Sequence, residues 1–328
     1  MPSLVGSEMC IRDSSTLSLG TALSVTSIPL IIYTTYKIDP RNYLQRFVKL
    51  IFYIALISII LFTIIRLFGF NSFSGIFPHL YTSFYREGQV YSYGGFLYRF
   101  VTLHSDRNCG PFGEPGQYQC VLAVALYFTL FRPLLFKEKE RMLYMIVFFF
   151  ALITTLSTSG YISLSILIFC FLLHSSKATN KRMKKIYIAM IIGTVFFMST
   201  TELGSEFLNT VVFHKIYANG QLDFSLSSGG ARTISISSVL STIYHHPITL
   251  VGVGYDELRN MGVEGCAGFL FLLLAIGIMP FSILFGFCFY QVFKYNKGIW
   301  DIIVRILLVI NMGSVSYTHL RAHETRHD

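Results

Sequence analysis

Residues 50–70 read LIFYIALISIILFTIIRLFGF, and this stretch decides the fold class of the chain. Its single charged residue is Arg66, which lies near one end, where a long cationic side chain can reach the membrane surface. A helix needs about 20 predominantly apolar residues to cross a bilayer. The stretch therefore predicts a transmembrane helix that is followed by a more polar segment.

Apolar runs of similar character recur along the 328-residue chain, of which 53% is hydrophobic and only 13% is charged. Soluble domains carry about twice that share of charged residues. One small soluble core cannot accommodate so many apolar runs, whereas a bilayer can. We therefore expect an all-α fold, a polytopic transmembrane helical bundle with about eight spans. The expected spans are approximately residues 17–36, 50–70, 115–136, 142–156, 161–173, 186–199, 266–293 and 299–314.

The distribution of the net charge of +9 predicts the orientation of these spans. Lys and Arg concentrate in the short segments after the first, third, fifth and seventh spans, whereas residues 71–114 and 200–265 are nearly neutral or acidic. Cytoplasmic loops of membrane proteins carry the excess of Lys and Arg. We therefore expect the two long segments to be extracytoplasmic loops of a multi-pass protein in the bacterial inner membrane, and we expect no nucleic-acid partner.

The two ends of the chain differ in character from the segments beside them. MPSLVGSEMCIRDS (residues 1–14) and VSYTHLRAHETRHD (residues 315–328) are polar, and both resemble translated sequencing adapters. We treat them as a non-native leader and a non-native tail, which leaves residues 15–314 as the transmembrane domain. His319 and His323 form an HxxxH spacing inside the tail, and we assign no metal to them.

The sequence carries no motif for cofactor-dependent chemistry. Its six cysteines form no CxxC pair, and no P-loop, HExxH or GxSxG is present. The GVG of residues 252–254 lacks the third glycine of a dinucleotide fingerprint. We therefore expect no soluble nucleotide-driven chemistry, and we assign neither a cofactor nor a metal to the protein.

The first long segment runs into HSDRNCGPFGEPGQY, residues 104–118, where polar side chains accompany glycines and prolines. This composition predicts a shaped turn rather than a helix. Pro115 suits the first position of the next helix, which would place Glu114 at a helix N-terminus. A cap and a turn would explain these residues, and so would a polar site at the mouth of a helical bundle. The aromatic residues of this segment fit either a membrane-anchoring belt or faces on which sugar rings stack.

The second long segment contains SSGGARTISISSVLSTIYHHPITLVGVGYDEL, residues 227–258. Its pattern predicts an amphipathic helix on the membrane surface that begins near Arg232 and ends before His245. The planar guanidinium of Arg232 suits bidentate contact with phosphate oxygens. A single arginine in an outer loop is also commonly a solvated surface charge, so both interpretations stay open.

Three segments taken together resemble Wzy-type O-antigen polymerases. RNCGPFGEPGQY (residues 107–118) is similar to their R-x-x-G-x-F-x-E-P segment, and LSTSGYISLSILIF (residues 156–169) is similar to their Ser-rich turn between two spans. GGARTISISSVLSTIYHHPITLVGVGY (residues 229–255) resembles their outer-loop Arg helix. The order of the segments agrees over about residues 50–290. The related O-antigen ligases carry an outer His before the following span, and GVEGCAGFLFLLLAIG (residues 262–277) contains none, which favours a polymerase.

The resemblance implies a membrane glycosyltransferase whose donor is an undecaprenyl-diphosphate-linked glycan and whose acceptor is a lipid-linked repeat unit. An acceptor hydroxyl would attack the donor's anomeric carbon, and the lipid diphosphate would leave. Arg107 and Arg232 are the candidates for stabilising the leaving diphosphate, and Glu114 is the candidate base. The residues expected to bind substrate are Arg99, His104, His245, Tyr118 and Tyr255. A regulator of chain length is a further partner to be expected beside the bilayer.

Two other functions fit parts of the sequence. One is an O-antigen ligase-like transfer of glycan, and the other is a polysaccharide flippase or transporter without chemistry. A transporter would place ionisable or helix-breaking residues in the middle of its spans. The middles of the expected spans are almost uniformly apolar, and the charges lie at their edges and in the outer loops. This distribution favours chemistry at the membrane surface over a path through it.

Overall fold

The computed structural model describes residues 33–73, 75–85, 88–174, 268–295 and 298–313, with isolated residues at 30, 252 and 254 and within 185–200 and 217–222. Of the residues described, 75% are helical, which confirms the predicted helical class. The helices are α1 (Tyr43–Phe68), α2 (Pro115–Phe131), α3 (Glu138–Thr154), α4 (Thr158–His174), α5 (Gly268–Ile276), α6 (Ile278–Lys294) and α7 (Ile299–Gly313). Short 3-10 turns lie at Phe70–Phe73, Thr102–His104 and Pro133–Leu135. The strands are β1 (His79–Tyr85), β2 (Gly88–Gly94), β3 (Arg99–Val101), β4 (Tyr217–Ala218) and β5 (Gln221–Leu222).

Among the described residues, α1 is the one helix both long and apolar enough to cross a membrane, with 26 residues. It ends at Gly69, which adopts a φ of +78° and donates its backbone N–H to the Ile65 carbonyl at 2.9 Å. The apolar segments Thr158–Leu173 and Ile278–Lys294 are shorter. The predicted span at 50–70 is therefore a helix of membrane-crossing length, whereas the total of about eight spans stays a prediction.

The helix α2 is central to the described part of the molecule. It packs against α1, α3, α4 and α7, and its buried residues occupy every side of the helix. Leu122, Leu126 and Leu130 recur every fourth position and are almost completely buried. A helix that is apolar on all sides belongs in an interior rather than at a surface. The surrounding helices therefore hold the N-terminal end of α2, where Glu114 lies, in a fixed position.

Polar side chains join α2 to α7, which runs antiparallel to it. The amides of Gln119 and Asn311 exchange two hydrogen bonds, of 3.0 and 3.1 Å. Farther along the pair, Asp301 is fully buried and forms salt bridges with Arg132 at 3.1 Å and Arg305 at 3.0 Å. Asp301 and Arg305 lie within the last predicted span. Since they pair with each other and with Arg132, they tie the helices together.

The segment 71–114 was predicted as a polar and aromatic loop, and the all-α prediction is wrong for this part of the chain. It contains a three-stranded antiparallel sheet with the order β1-β2-β3. Tyr85 pairs with Gly88 and Gly94 pairs with Arg99, so each hairpin is short. Aromatic side chains favour strands as well as membrane interfaces. The prediction of a loop rested on the second of these preferences alone.

The turn between α3 and α4 lies earlier than predicted. A hairpin turn was expected over residues 157–160, but α4 begins at Thr158 and the chain reverses around Leu156, whose φ is +48°. Gly160 therefore lies inside α4. A Cβ atom at Gly160 would lie 3.2 Å from the Cβ of Gln119 in α2. The glycine allows two helices to approach closely and does not form the turn.

The predicted span at 266–293 is divided into α5 and α6 at Gly277, which has a φ of +87°. A backbone contact from the preceding segment supports this break, because the Gly254 N–H donates to the Ala275 carbonyl at 3.1 Å. At Gly252, whose φ is +85°, an added Cβ would collide with that carbonyl oxygen. Backbone groups that a helix break releases need such partners, especially in a membrane.

Candidate functional site

Asn108 anchors the segment that joins the sheet to α2. Its side chain is fully buried, and its amide donates to the Thr154 hydroxyl at 3.0 Å and to the Ser58 hydroxyl at 3.3 Å. Its side-chain oxygen accepts the Gly110 N–H at 3.0 Å, and its own backbone N–H donates to the Thr154 carbonyl at 2.9 Å. One residue thus fixes the segment 104–114 to α1 and α3. A buried polar group that is fully hydrogen-bonded in this way rigidifies its surroundings.

The ring of Tyr118 packs against the buried side of this segment. It is 0% exposed, and its hydroxyl lies 2.6 Å from the Ser58 hydroxyl. Gly110 adopts a φ of +54°, and an added Cβ would lie 2.8 Å from the Tyr118 ring, so only glycine fits above the ring. Tyr118 was predicted to bind substrate. Its complete burial means that it supports the segment from below and does not offer its ring to a ligand in this arrangement.

Glu114 occupies the N-cap position of α2, directly before Pro115, as predicted. Its side chain makes no capping hydrogen bond to the helix, so capping does not explain the glutamate. The residue is 8% exposed. Because burial disfavours the charged form, the pKa of the Glu114 carboxyl is raised to about 7. A carboxyl with a pKa near neutrality exchanges protons readily, which suits a general base or acid.

Charged residues lie on either side of Cys109 in this segment. The thiol is 1% exposed, and burial raises its pKa to about 12. The charge of Arg107 opposes this increase, whereas those of Glu114 and Asp106 add to it. The Arg107 guanidinium lies 3.8 Å from the Asp106 carboxylate, and both side chains are partly exposed, so their ion pair is weak. Arg107 therefore keeps positive charge beside Cys109, in the same segment as Glu114, that a ligand can use.

Of two further predicted residues, His104 begins the same segment and Arg99 lies beside it. The backbone N–H of Arg107 donates to the His104 carbonyl at 3.0 Å, and that of Arg99 donates to the Gly110 carbonyl at 2.6 Å. The Nε atom of Arg99 is buried and has no hydrogen-bond partner among the described residues. Buried donors are normally paired, so this N–H is suited to donate to an oxygen atom of a ligand that binds at the site.

Five of the predicted site residues are therefore gathered around one segment, namely Arg99, His104, Arg107, Glu114 and Tyr118. Arg232, His245 and Tyr255 lie outside the described residues. Sequence reasoning missed Asn108 and Ser58. An Asn two residues before a glycine is a common turn signal, and Ser58 is a rare polar residue in its apolar span, so both carried a detectable signal.

The described residues contain no group of three His, Cys, Asp or Glu side chains that could hold a metal ion. The polar groups collected around the segment 104–114 are instead the carboxyls of Asp106 and Glu114, two guanidinium groups and an imidazole. Such a set can bind an anion and transfer a proton. No protein-family model, curated protein or solved structure matches the chain.

Proposed function

We propose that the protein polymerises undecaprenyl-diphosphate-linked oligosaccharide repeat units at the extracytoplasmic face of the bacterial inner membrane. The observation that carries this proposal is the buried carboxyl of Glu114, with a pKa raised to about 7, in the same segment as Arg107. The resemblance of three sequence segments to Wzy-type polymerases supplies the substrate class. The product would be an O-antigen or another surface polysaccharide.

The proposed reaction needs one base and stabilisation of one leaving group. The acceptor hydroxyl forms a bond to the anomeric carbon of the donor, and its proton passes to Glu114. The bond from the anomeric carbon to the diphosphate oxygen breaks, and undecaprenyl diphosphate leaves with the electron pair. Arg107 in the segment 104–114 and Arg99 beside it are proposed to supply positive charge to the leaving diphosphate, and Arg232 is proposed to add to it.

The chemistry of the substrate requires this site to lie close to lipid. The donor and the acceptor both keep their polyprenyl chains in the bilayer, so the diphosphate stays at headgroup depth. Asn108 ties the segment 104–114 to Ser58, in the outer half of α1, and to Thr154, at the end of α3. If α1 spans the membrane as predicted, the segment enters the bilayer from the extracytoplasmic side, at the outer end of α3 and about 15 Å along α1 from its outer end, since a helix rises 1.5 Å per residue. That position supports an enzyme of lipid-linked substrates.

A genetic experiment tests the function. The native gene is deleted from its host, and lipopolysaccharide and capsule are separated on a gel. We expect loss of the polymer ladder, with core carrying a single repeat unit left behind. Long polymer retained on its lipid carrier, with bare core at the surface, would replace the proposal with a ligase. An unchanged profile would reject both and favour transport or another envelope role.

Point variants assign the reaction to the site. Glu114→Gln keeps the shape of the side chain but removes the base. We expect the yield of polymer to fall by a factor of at least about 100, at normal protein levels. Glu138→Gln is the matched control, because Glu138 lies in the first turn of α3 and is exposed. Arg107→Ala and Arg232→Ala should also abolish long chains, whereas Arg66→Ala should not. Normal chain length in Glu114→Gln would remove the proposed base.

A further inference from the structure

The turn between β2 and β3 presents two large apolar side chains that no described residue covers. Phe96 is 100% exposed and Leu97 is 52% exposed. The turn is nevertheless fixed, because the Gly95 N–H donates to the Tyr98 carbonyl at 2.9 Å. At Gly94, with a φ of +122°, an added Cβ would collide with the same carbonyl oxygen. Because the turn is tight and fixed, the Phe96 side chain points away from the sheet and does not pack against it.

The turn is held beside the last two turns of α1. Tyr98 and Phe100 form a buried cluster with Ile65, and Leu61 packs against that cluster. The Phe100 ring also stacks on Phe70 at a centroid distance of 3.9 Å. Since a helix rises 1.5 Å per residue, Leu61 and Ile65 lie within about 10 Å of the end of α1. The turn is therefore level with the outer end of the predicted span.

The surface around the turn has the chemistry of a membrane interface. Residues 91–98 read YSYGGFLY and contain no charge. The exposed residues Leu56, Ile60 and Leu67 lie on the opposite side of α1 from Ile65, so α1 itself presents an apolar face up to the level of the turn. Arg66 is exposed in the last turn, where a guanidinium can contact lipid phosphate. Aromatic and aliphatic side chains at this depth are stabilised by burial in the headgroup region.

We propose that the turn at residues 94–98 is a membrane-contacting tip, with Phe96 and Leu97 inserted in the outer leaflet of the phospholipid bilayer. The proposal rests on the membrane placement of α1 in the proposed function. It also gives the sheet a role in that function. Since the Arg99 N–H bonds to the Gly110 carbonyl at 2.6 Å, a tip held in the lipid helps to fix the depth of the segment 104–114 in the membrane.

Tryptophan fluorescence in the reconstituted full chain measures the depth of the tip. The chain contains one tryptophan, Trp300, and Trp300→Phe removes its signal while keeping an aromatic ring beside Phe169. Into this background we introduce Phe96→Trp at the tip, Ile60→Trp on the exposed face of α1, and Gln89→Trp. Gln89 is exposed near the opposite end of β2, about 17 Å from Gly94, and serves as the control on the water side.

The variants are reconstituted in vesicles of phosphatidylethanolamine and phosphatidylglycerol that contain lipids brominated at a known acyl depth. We expect bromine near the headgroup to quench most of the emission of Phe96→Trp. Bromine deep in the acyl chain should quench most of the emission of Ile60→Trp. Gln89→Trp should keep its emission with both lipids.

Two outcomes would overturn the proposal, and they differ from each other. If Ile60→Trp is quenched while Phe96→Trp behaves like Gln89→Trp, α1 lies in the bilayer but the tip does not. If neither Ile60→Trp nor Phe96→Trp is quenched, α1 does not lie in the bilayer. Both the membrane placement of α1 and the insertion of the tip are then rejected. Because Phe96 is fully exposed, its replacement leaves the folded core untouched, and circular dichroism of each variant checks this directly.

Discussion

At the scale of single residues, the ionisation of Glu114 links stability to activity. Burial raises its pKa in the folded protein to about 7, from 4.5. Between these values the folded state binds more protons than the unfolded state, so the free energy of unfolding falls as pH rises. The proposed reaction needs the ionised carboxylate. We therefore predict that stability falls as pH rises from about 4.5 to about 7, and that polymerisation rises as pH increases through about 7.

Measurements on Glu114→Gln separate this effect from other titrations. The neutral amide avoids the cost of a buried charge, so well above pH 7 the variant should have a free energy of unfolding higher by up to about 3 kcal/mol. The measurement is denaturant unfolding in detergent across pH, with Glu138→Gln as the control. A wild-type stability that rises with pH over this range would contradict the assignment of a raised pKa to Glu114.

The same scale shows what sequence reasoning can reach and what it cannot. It placed Glu114 and Arg107 in one segment because both are charged residues in a short turn between apolar segments, and their roles stay predictions. It did not find Asn108, whose role depends on Ser58 and Thr154, far away in the chain. It assigned Tyr118 to substrate by its residue type, and burial, which only the fold determines, places it under the site instead.

At the scale of elements, Gly160 limits the distance between α2 and α4. We predict that Gly160→Leu lowers the free energy of unfolding by about 1–3 kcal/mol, because its side chain would meet Gln119 at a position where a Cβ already lies 3.2 Å from the Gln119 Cβ. Gly286→Leu in α6 is the matched control, since an added Cβ there has nothing within 4 Å. Equal effects of the two leucines on unfolding would show that α2 and α4 do not pack as described.

The elements also explain why the helices were predicted more accurately than the sheet. Long apolar runs such as 50–70 permit few alternatives, so the positions of α1 and α2 followed from composition and from Pro115. In β1 and β2 the same aromatic residues suit a strand or a membrane interface. Only the pairing between strands determines which of the two structures forms. The break at Gly277 depends on a partner at Gly254, which the sequence of 266–293 does not contain.

At the scale of the whole molecule, the arrangement predicts opposite sides of the membrane for two exposed positions. Ser105 lies in the segment 104–114, and Leu134 lies after the other end of α2 and is 94% exposed. A chain that crosses the membrane along α2 places them on different sides, with Leu134 beside the basic segment that the charge distribution assigns to the cytoplasm. The prediction is therefore that Ser105→Cys faces outward and Leu134→Cys faces inward.

A membrane-impermeant maleimide checks this in spheroplasts, with the parent chain as the baseline for its native cysteines. The described native cysteines give a low baseline, because Cys109, Cys120 and Cys170 are buried and Cys288 is partly exposed. Ser105→Cys should be labelled in intact spheroplasts, and Leu134→Cys only after they are made permeable. Labelling of both from outside would mean that α2 does not cross, and the reverse pattern would put Glu114 in the cytoplasm. Only the reverse pattern would remove the site from the face where the lipid-linked units are proposed to be joined; labelling of both from outside would reject the crossing of α2 alone.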